Sequence, residues 1–193
     1  MASQETVVRT DRPIVVDATN HIAGRLASNV AKFAKKKGIP TVEKFFSNKT
    51  ATELVKKHHS ADILIAVNVL PHVPNLNDFL KGIKKILKPN GTVIVQFSAY
   101  LSKLISQREF DTIYHEHYSY FSLFTLNKIF SAHDLKIFDV DELSIHGGSL
   151  RIYATHKKQK VIVSKKIQKL IAKEKKLTKN QQQHLDGILL DTG

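Results

Sequence analysis

Four consecutive residues, Tyr114-His-Glu-His117, combine side chains that commonly move protons in proteins. Histidine has an ordinary pKa of about 6.5, so it can accept and release a proton near neutral pH. Such a base suits removal of a proton from a carbon beside a keto group, provided that a second group stabilises the enolate oxygen that forms. The stretch therefore predicts a site for proton transfer.

The same histidines also allow a different interpretation. His115 and His117 lie two residues apart, so on one face of a strand they could bind a metal ion, with His72 as a third ligand. No further acidic ligand stands out and the sequence contains no cysteine, so we expect no metal. Taken alone, His72 would more often be a structural or exposed residue than a functional one.

The elements that must position these residues follow an alternating order. Residues 61–67 form a nearly continuous apolar run, which is typical of a strand buried on both faces. Residues 78–87 have the apolar spacing of a helix, and residues 92–97 form another strand-like run. This βαβ order predicts an open α/β sheet in which the two strands are parallel neighbours joined by a right-handed crossover.

Further elements are predicted on either side of this unit. Before it, the patterns indicate strands at 13–17 and 42–46 and helices at 21–37 and 50–59. After it, they indicate a helix at 125–133, strands at 135–140 and 150–155, and a lysine-rich amphipathic helix at 161–178 with Val163, Ile167, Leu170 and Ile171 on its apolar side.

Four motifs in this order resemble the sugar C-methyltransferase family, whose members are class I methyltransferases acting on keto-sugars linked to a nucleoside diphosphate. The motifs are Gly38-Ile-Pro-Thr-Val-Glu-Lys-Phe-Phe46, Asn68-Val-Leu-Pro-His-Val-Pro74, Phe110-Asp-Thr-Ile-Tyr-His-Glu-His-Tyr-Ser-Tyr-Phe-Ser-Leu123 and His146-Gly-Gly-Ser-Leu-Arg-Ile-Tyr153. The resemblance covers about residues 28–178.

The resemblance implies both a reaction and a set of site residues. The expected reaction transfers a methyl group from S-adenosylmethionine to a carbon of the nucleotide-linked keto-sugar. His117 is then the expected general base, with Tyr114, Glu116 and His72 in the same site. Asn68 is expected to help hold the methyl donor, and Arg151 to contact a phosphate of the substrate.

The sequence departs from that family in its N-terminal part. The family's cysteine-rich zinc module has no counterpart here, and Gly24 is the only glycine before Gly38, so the glycine-rich donor loop is missing. Arg25 aligns near the place of an acidic residue that would accept hydrogen bonds from the donor's ribose. We therefore expect an incomplete class I, Rossmann-like sheet with a C-terminal α+β portion, reduced or lost activity, and self-association through the exposed edge.

Residues 13–32 resemble something else, the opening of the thirteenth large-subunit ribosomal protein, through Gly24-Arg-Leu-Ala-Ser28 followed by Val30-Ala-Lys32. The expected organisation is a flexible start at 1–12, this ribosomal-protein-like segment at 13–32, a methyltransferase-like domain at 28–155, and a basic helix and tail at 156–193. The alternative function is that of a ribosomal or RNA-binding protein.

Composition bears on the partners and the compartment. The formal net charge is +13, and residues 157–180 contain ten lysines against one acid, Glu174. Such a balance can attract RNA, although a lysine-rich helix is more often simply solvated. The absence of cysteine fits a reducing, cytoplasmic location. No apolar run of about 18 residues predicts a membrane span, and the polar N-terminus is not expected to be a secretory signal.

Overall fold

The computed structural model describes residues 36, 38, 42, 44–98, 100–145 and 148–190, without the side chains of 110 and 178–190. The chain divides into two compact units, Met1–Phe45 and Phe46–Gly193, and every element described below belongs to the second. The predicted strand at 13–17, Gly24, Arg25 and the His146-Gly147 turn lie outside the described residues, as does nearly all of the predicted helix at 21–37.

Helices and strands alternate through the first half of this unit, and two antiparallel strands follow. The helices are α1 (Asn48–His58), α2 (Leu76–Ile86), α3 (Leu101–Gln107), α4 (Leu123–Ala132) and α5 (Lys165–Leu190), and the strands are β1 (Ala61–Val67), β2 (Leu87–Phe97), β3 (Leu135–Leu143) and β4 (Ser149–His156). Short 3₁₀ turns at Leu70–His72 and Phe110–Thr112 lie in the loops.

Side-chain caps define where the first two helices begin. The hydroxyl of Ser47 accepts a hydrogen bond from the amide of Thr50 at the start of α1. Asn75 accepts one from the amide of Asp78 at the start of α2. The Asp78 carboxylate in turn accepts the amide of Asn48 at 3.1 Å, which ties the beginnings of the two helices together.

The four described strands form one mixed sheet in the order β1-β2-β4-β3. Strands β1 and β2 are parallel neighbours, with Ile65 opposite Ile94, which confirms the predicted βαβ unit. Strand β4 pairs antiparallel with both β2 and β3. Antiparallel pairing of β3 with β4 is possible here because only residues 144–148 separate the two strands, too few for a crossover helix.

One face of the sheet carries the core. Alternate residues of β2 and β4 point to that face and are fully buried, among them Val95, Phe97 and Ile152. Helix α4 contributes Leu126 and Phe130 to the same cluster. The buried residues of these strands therefore pack against the helices on one face of the sheet.

Strand β1 is not buried on both faces, so that prediction was wrong. Ile63 is 61% exposed and Ile65 is 55% exposed, whereas Ala66 on the opposite face is buried. Among the described strands, β1 pairs with β2 alone and lies at the edge of the sheet. Its apolar sequence therefore gives the described sheet an exposed apolar edge.

Two other local predictions need correction, and one helix was missed. The described residues of the stretch 42–46 form no strand, and Phe46 instead packs edge-on against Phe79 with ring centroids 5.4 Å apart. Helix α3 was not predicted. The basic helix begins at Lys165 rather than at 161, and Val163, which precedes it, is 45% exposed. Within the described residues, no helix is long and apolar enough to span a membrane.

Candidate active site

The candidate site lies at the carboxyl ends of the parallel strands β1 and β2. Asn68 directly follows β1. Its backbone amide donates to the backbone carbonyl of Gln96, near the end of β2, at 2.8 Å. The 3₁₀ turn that contains His72 comes next in the chain. Ligands bind at this end of open α/β sheets because the loops leave a crevice there.

A segment without helix or strand, residues 113–120, lies against this edge and carries the predicted proton-transfer residues. Two backbone hydrogen bonds attach it and its continuation. The amide of Tyr118 donates to the carbonyl of Pro71 at 2.9 Å, and the amide of Leu101 donates to the carbonyl of Phe121 at 2.9 Å. The loops after both parallel strands therefore hold the segment in place.

Within the segment, His117 is held in a defined orientation. Its Nδ1 lies 2.9 Å from the carbonyl oxygen of Thr112. A carbonyl oxygen can only accept, so Nδ1 carries the proton and, in the neutral ring, Nε2 carries the lone pair. The hydroxyl of Tyr114 lies 3.0 Å from Nε2 and donates to it. The geometry thus leaves Nε2 as the basic atom of the ring.

The second histidine, His72, is oriented in the same way. Its Nδ1 lies 2.9 Å from the carbonyl oxygen of Glu116 and must donate to it, which gives Nε2 the lone pair of the neutral ring. The rings of His72 and His117 have centroids 4.8 Å apart. Glu116 therefore contributes its backbone carbonyl to the arrangement, and the residue itself is half-buried.

The environment shifts the acidity of two of these groups. Burial lowers the pKa of His117 below its ordinary 6.5, and the charge of His72 adds to that effect. The carbonyl of Thr112 and the charge of Glu116 act in the opposite direction. Burial, followed by the charge of Glu116, raises the pKa of Tyr114 above 10.0. At neutral pH the pair is thus a neutral imidazole beside a protonated phenol.

Asn68 meets one expectation for a residue that holds a ligand. Its Oδ1 is buried and has no hydrogen-bond partner among the residues that the structure describes, although a buried acceptor without a partner costs free energy. The residue also has a positive φ of 51°, an uncommon conformation that asparagine adopts more readily than most residues. An N–H or O–H donor from a bound molecule would satisfy this oxygen.

Arg151 lies on β4, opposite Gln96 of β2 in the register of the sheet. Its Nε and Nη2 donate to the Oε1 atom of Gln96, at 3.0 and 2.6 Å. The backbone carbonyl of the same glutamine accepts the amide of Asn68. The guanidinium is therefore connected through Gln96 to the strand ends at which the histidines lie, but it is not in the histidine cluster itself.

Sequence reasoning missed the residues that orient the base. The carbonyl of Thr112 accepts from both His117 Nδ1 and the hydroxyl of Tyr120, the latter at 3.3 Å. A backbone carbonyl leaves no signal in the sequence, and a tyrosine such as Tyr120 is equally typical of a protein core. For the Arg151 contact, the available signal in the sequence was a polar glutamine, Gln96, within the apolar run 92–97. The structure shows that this glutamine is only 7% exposed.

The metal alternative gains no support in the part of the chain that the structure describes. No group of three or more histidine, aspartate or glutamate side chains is placed there to hold an ion. His115 is exposed, whereas His72 and His117 are partly buried and in ring contact.

Comparison with known proteins places this chain in a family. Residues 12–140 match the family model described as a methyltransferase domain. The chain belongs to this methyltransferase family. The mixed sheet with its parallel pair β1–β2 agrees with that assignment, which confirms the predicted Rossmann-like class I methyltransferase fold.

A curated relative is the C-methyltransferase NovU of Streptomyces niveus, which is 34% identical over 128 residues. The match covers 66% of this chain but 30% of NovU, so the chain spans about a third of that relative's length. The methyltransferase match also runs through residues 13–32, and the ribosomal resemblance of that segment is not supported.

Solved structures similar to the chain include the O-methyltransferase NcsB1 from neocarzinostatin biosynthesis in complex with S-adenosylmethionine. It has a TM-score of 0.46 and 15% identity over 67% of this chain and 38% of that one. An O-methyltransferase family protein from Burkholderia thailandensis has a TM-score of 0.45 and 15% identity, over 70% of this chain and 42% of that one.

Proposed function

We propose that the chain contributes the substrate half of a methyltransferase that transfers a methyl group from S-adenosylmethionine to a carbon beside the keto group of a nucleoside-diphosphate-linked sugar. The observation that carries this proposal is the fixed imidazole of His117, with its basic Nε2 3.0 Å from the Tyr114 hydroxyl. Membership of the methyltransferase family and the likeness to a C-methyltransferase support the type of reaction.

Methylation at carbon explains why a base and a donor are needed together. A carbon carries no lone pair, so a proton must leave before the carbon can form a new bond. In the proposed step, Nε2 of His117 accepts that proton, and the C–H electron pair moves into the carbonyl group to form an enolate. Methyl transfer to an oxygen or a nitrogen would not require this enolate.

The lowered pKa of His117 suits this role, because a neutral ring is already the basic form at pH 7. Tyr114 remains protonated and can turn its hydroxyl from Nε2 toward the keto oxygen of the substrate. That movement would free the lone pair of Nε2 and stabilise the enolate oxygen at the same time. His72, 4.8 Å from His117 between ring centroids, is placed to contact the sugar beside it.

When bound, S-adenosylmethionine supplies an electrophilic methyl group that the enolate carbon can take. Asn68 is the described residue whose unpartnered Oδ1 fits this molecule, because the ammonium group of the methionine part is an N–H donor. Arg151 spends two of its five N–H groups on Gln96, which leaves three for a phosphate of the nucleotide.

Calorimetric titration with S-adenosylhomocysteine tests the donor half of the proposal. We expect binding by the unmodified chain. Asn68→Ala should bind more weakly, because it lacks the buried oxygen that would accept a hydrogen bond from the ligand. Asn77→Ala is the matched control, since Asn77 is exposed on α2. No heat at millimolar ligand, or equal affinity in both variants, would contradict the role of Asn68.

Transfer of a labelled methyl group tests the substrate half. A nucleotide-linked keto-sugar should acquire the label at the carbon beside the keto group, and the same sugar with that keto group reduced should not. Label found on an oxygen of the sugar would contradict the proposed reaction.

A further inference from the structure

The basic segment of residues 157–180 contains a single acidic side chain, and that side chain is buried. Residues 157–180 hold ten lysines and a single acid, Glu174. The neighbouring Lys173, Lys175 and Lys176 are exposed, whereas Glu174 is 6% exposed. Acidic side chains are rarely buried unless partners satisfy them, so this carboxylate has a specific structural task.

The Glu174 carboxylate caps the N-terminus of helix α4. One of its oxygens accepts the amide of Leu123 at 2.7 Å, and the other accepts the amide of Phe124 at 2.9 Å. The hydroxyl of Ser122 accepts the next free amide, that of Thr125, at 3.1 Å. The first three N–H groups of the helix are thus satisfied, two of them by a residue about 50 positions away.

A negative charge at this place is favourable for two reasons. The amides at a helix N-terminus have no partner within the helix, and the helix dipole is positive at that end. Hydrogen bonds to an ionised acceptor are also stronger than those between neutral groups. Because Leu123 is fully buried, its amide has no obvious replacement partner if the carboxylate is removed.

Helix α4 begins where the segment with the proton-transfer residues ends. That segment lacks regular structure, so its shape depends on its attachments. The contact between Tyr118 and Pro71 attaches the segment near its end, and the contact between Phe121 and Leu101 attaches the residue that follows it. After Ser122, Glu174 holds the first two residues of α4, Leu123 and Phe124, and so attaches the C-terminal helix α5 to the chain just past the segment.

We propose that Glu174 is a positioning residue of the active site, through which the basic helix α5 holds the segment carrying Tyr114 and His117 in its working geometry. The inference rests on the proposed function, because it takes His117 as the base. It gives the basic helix an intramolecular role, with the lysines of residues 157–176 exposed and Glu174 facing the core.

A third element supports the assignment. The phenol of Tyr100, at the residue preceding α3, is 1% exposed, and its pKa is raised by burial and then by the charge of Glu174. The backbone of Tyr100 also forms an isolated β-bridge with Phe121, the residue that follows the segment. The carboxylate therefore lies where the beginnings of α3 and α4 meet helix α5.

The test compares Glu174→Gln with Glu142→Gln in the full chain. Glutamine has nearly the size of glutamate but can offer only one acceptor oxygen, so one of the two amides loses its partner. Glu142 is the matched control, because its carboxylate makes an exposed ion pair with Lys173 at 3.5 Å. The readout is the ring nitrogen signals of the histidines in long-range proton–nitrogen NMR spectra, which need neither methyl donor nor substrate.

We expect the His117 and His72 signals to shift in Glu174→Gln, while those of His133 and His156, outside the segment, stay in place. Proton exchange at the substrate carbon should fall about 10- to 100-fold, as expected for a slightly displaced base. Glu142→Gln should change neither. A change in melting temperature with unmoved His117 and His72 signals would overturn the proposal, as would equal shifts at all four histidines.

A chain without any exchange activity would contradict the proposed function but would leave the NMR result decisive for Glu174. The two inferences can therefore fail separately.

Discussion

The hydroxyl of Tyr114 and Nε2 of His117 lie 3.0 Å apart, and the other nitrogen of the same ring is fixed by the carbonyl of Thr112. One histidine thus has its tautomer set on one side and a phenolic donor on the other. This relationship makes the two side chains a coupled pair, so that loss of either should affect proton transfer.

Tyr114→Phe should keep the aromatic ring and remove the donor. Loss of one donor to a developing oxyanion typically costs about 10²–10³ in kcat, and we expect a loss in this range for proton exchange or methyl transfer. Tyr118→Phe is the control, because Tyr118 is 65% exposed. An unchanged rate in Tyr114→Phe, measured at saturating substrate, would remove the phenol from the proposed step.

The pH dependence should follow the lowered pKa of His117. The basic form is the neutral ring, so the exchange rate should rise as His117 loses its proton and reach half its maximum below pH 6.5. NMR titration of the ring should give the same midpoint, lower than that of His117 in a peptide of residues 112–121. A midpoint at or above the peptide value would contradict burial as the dominant cause.

The same shift has a consequence for stability. In the unfolded chain His117 titrates near 6.5, and in the folded chain it titrates lower. Between these two values the unfolded state binds more protons, so the contribution of His117 to the free energy of unfolding decreases as the pH falls through that window. A His117→Asn variant should lose this part of the pH dependence in denaturant titrations.

Sequence patterns were most informative where the local helix and strand patterns also fix how the elements pack. The apolar run at 61–67 and the helical spacing after it gave the βαβ unit, because a crossover helix leaves few topologies open. The burial of β1 could not be foreseen in the same way, since it depends on what covers the sheet. Phe46 gave a false strand signal because its ring packs against the core, including Phe79, from a loop rather than from a strand.

For the candidate site, the resemblance pointed to Tyr114, Glu116, His117 and His72, and the structure brings all four together. Their roles as catalytic or binding residues stay predictions. The part played by the backbone could not be predicted, because the Thr112 and Glu116 carbonyls orient the rings without regard to side-chain type. Glu174 is visible in sequence only as the one acid among lysines.

The exposed apolar surface of β1 predicts self-association. Ile63 and Ile65 are more than half exposed, and β1 lies at the edge among the described strands, where a sheet offers backbone groups for pairing. We expect light scattering to show a mass that rises with protein concentration. Ile65→Lys should reduce this rise, whereas Val163→Lys, at an exposed valine far along the chain from β1, should not. A concentration-independent monomer would contradict the prediction.

The assignment of His117 as the base is tested most directly by hydrogen–deuterium exchange at the sugar carbon beside the keto group, measured without methyl donor. This exchange needs no methyl donor, so the departures in the donor-binding N-terminal part should leave it intact, and the unmodified chain should catalyse it. His117→Ala should lower its rate by about 10²–10⁴-fold, the usual effect of losing a positioned base, while S-adenosylhomocysteine binding stays nearly unchanged. His115→Ala, at an exposed side chain, should have a much smaller effect. Equal losses in both variants, or no exchange by the unmodified chain, would contradict the account.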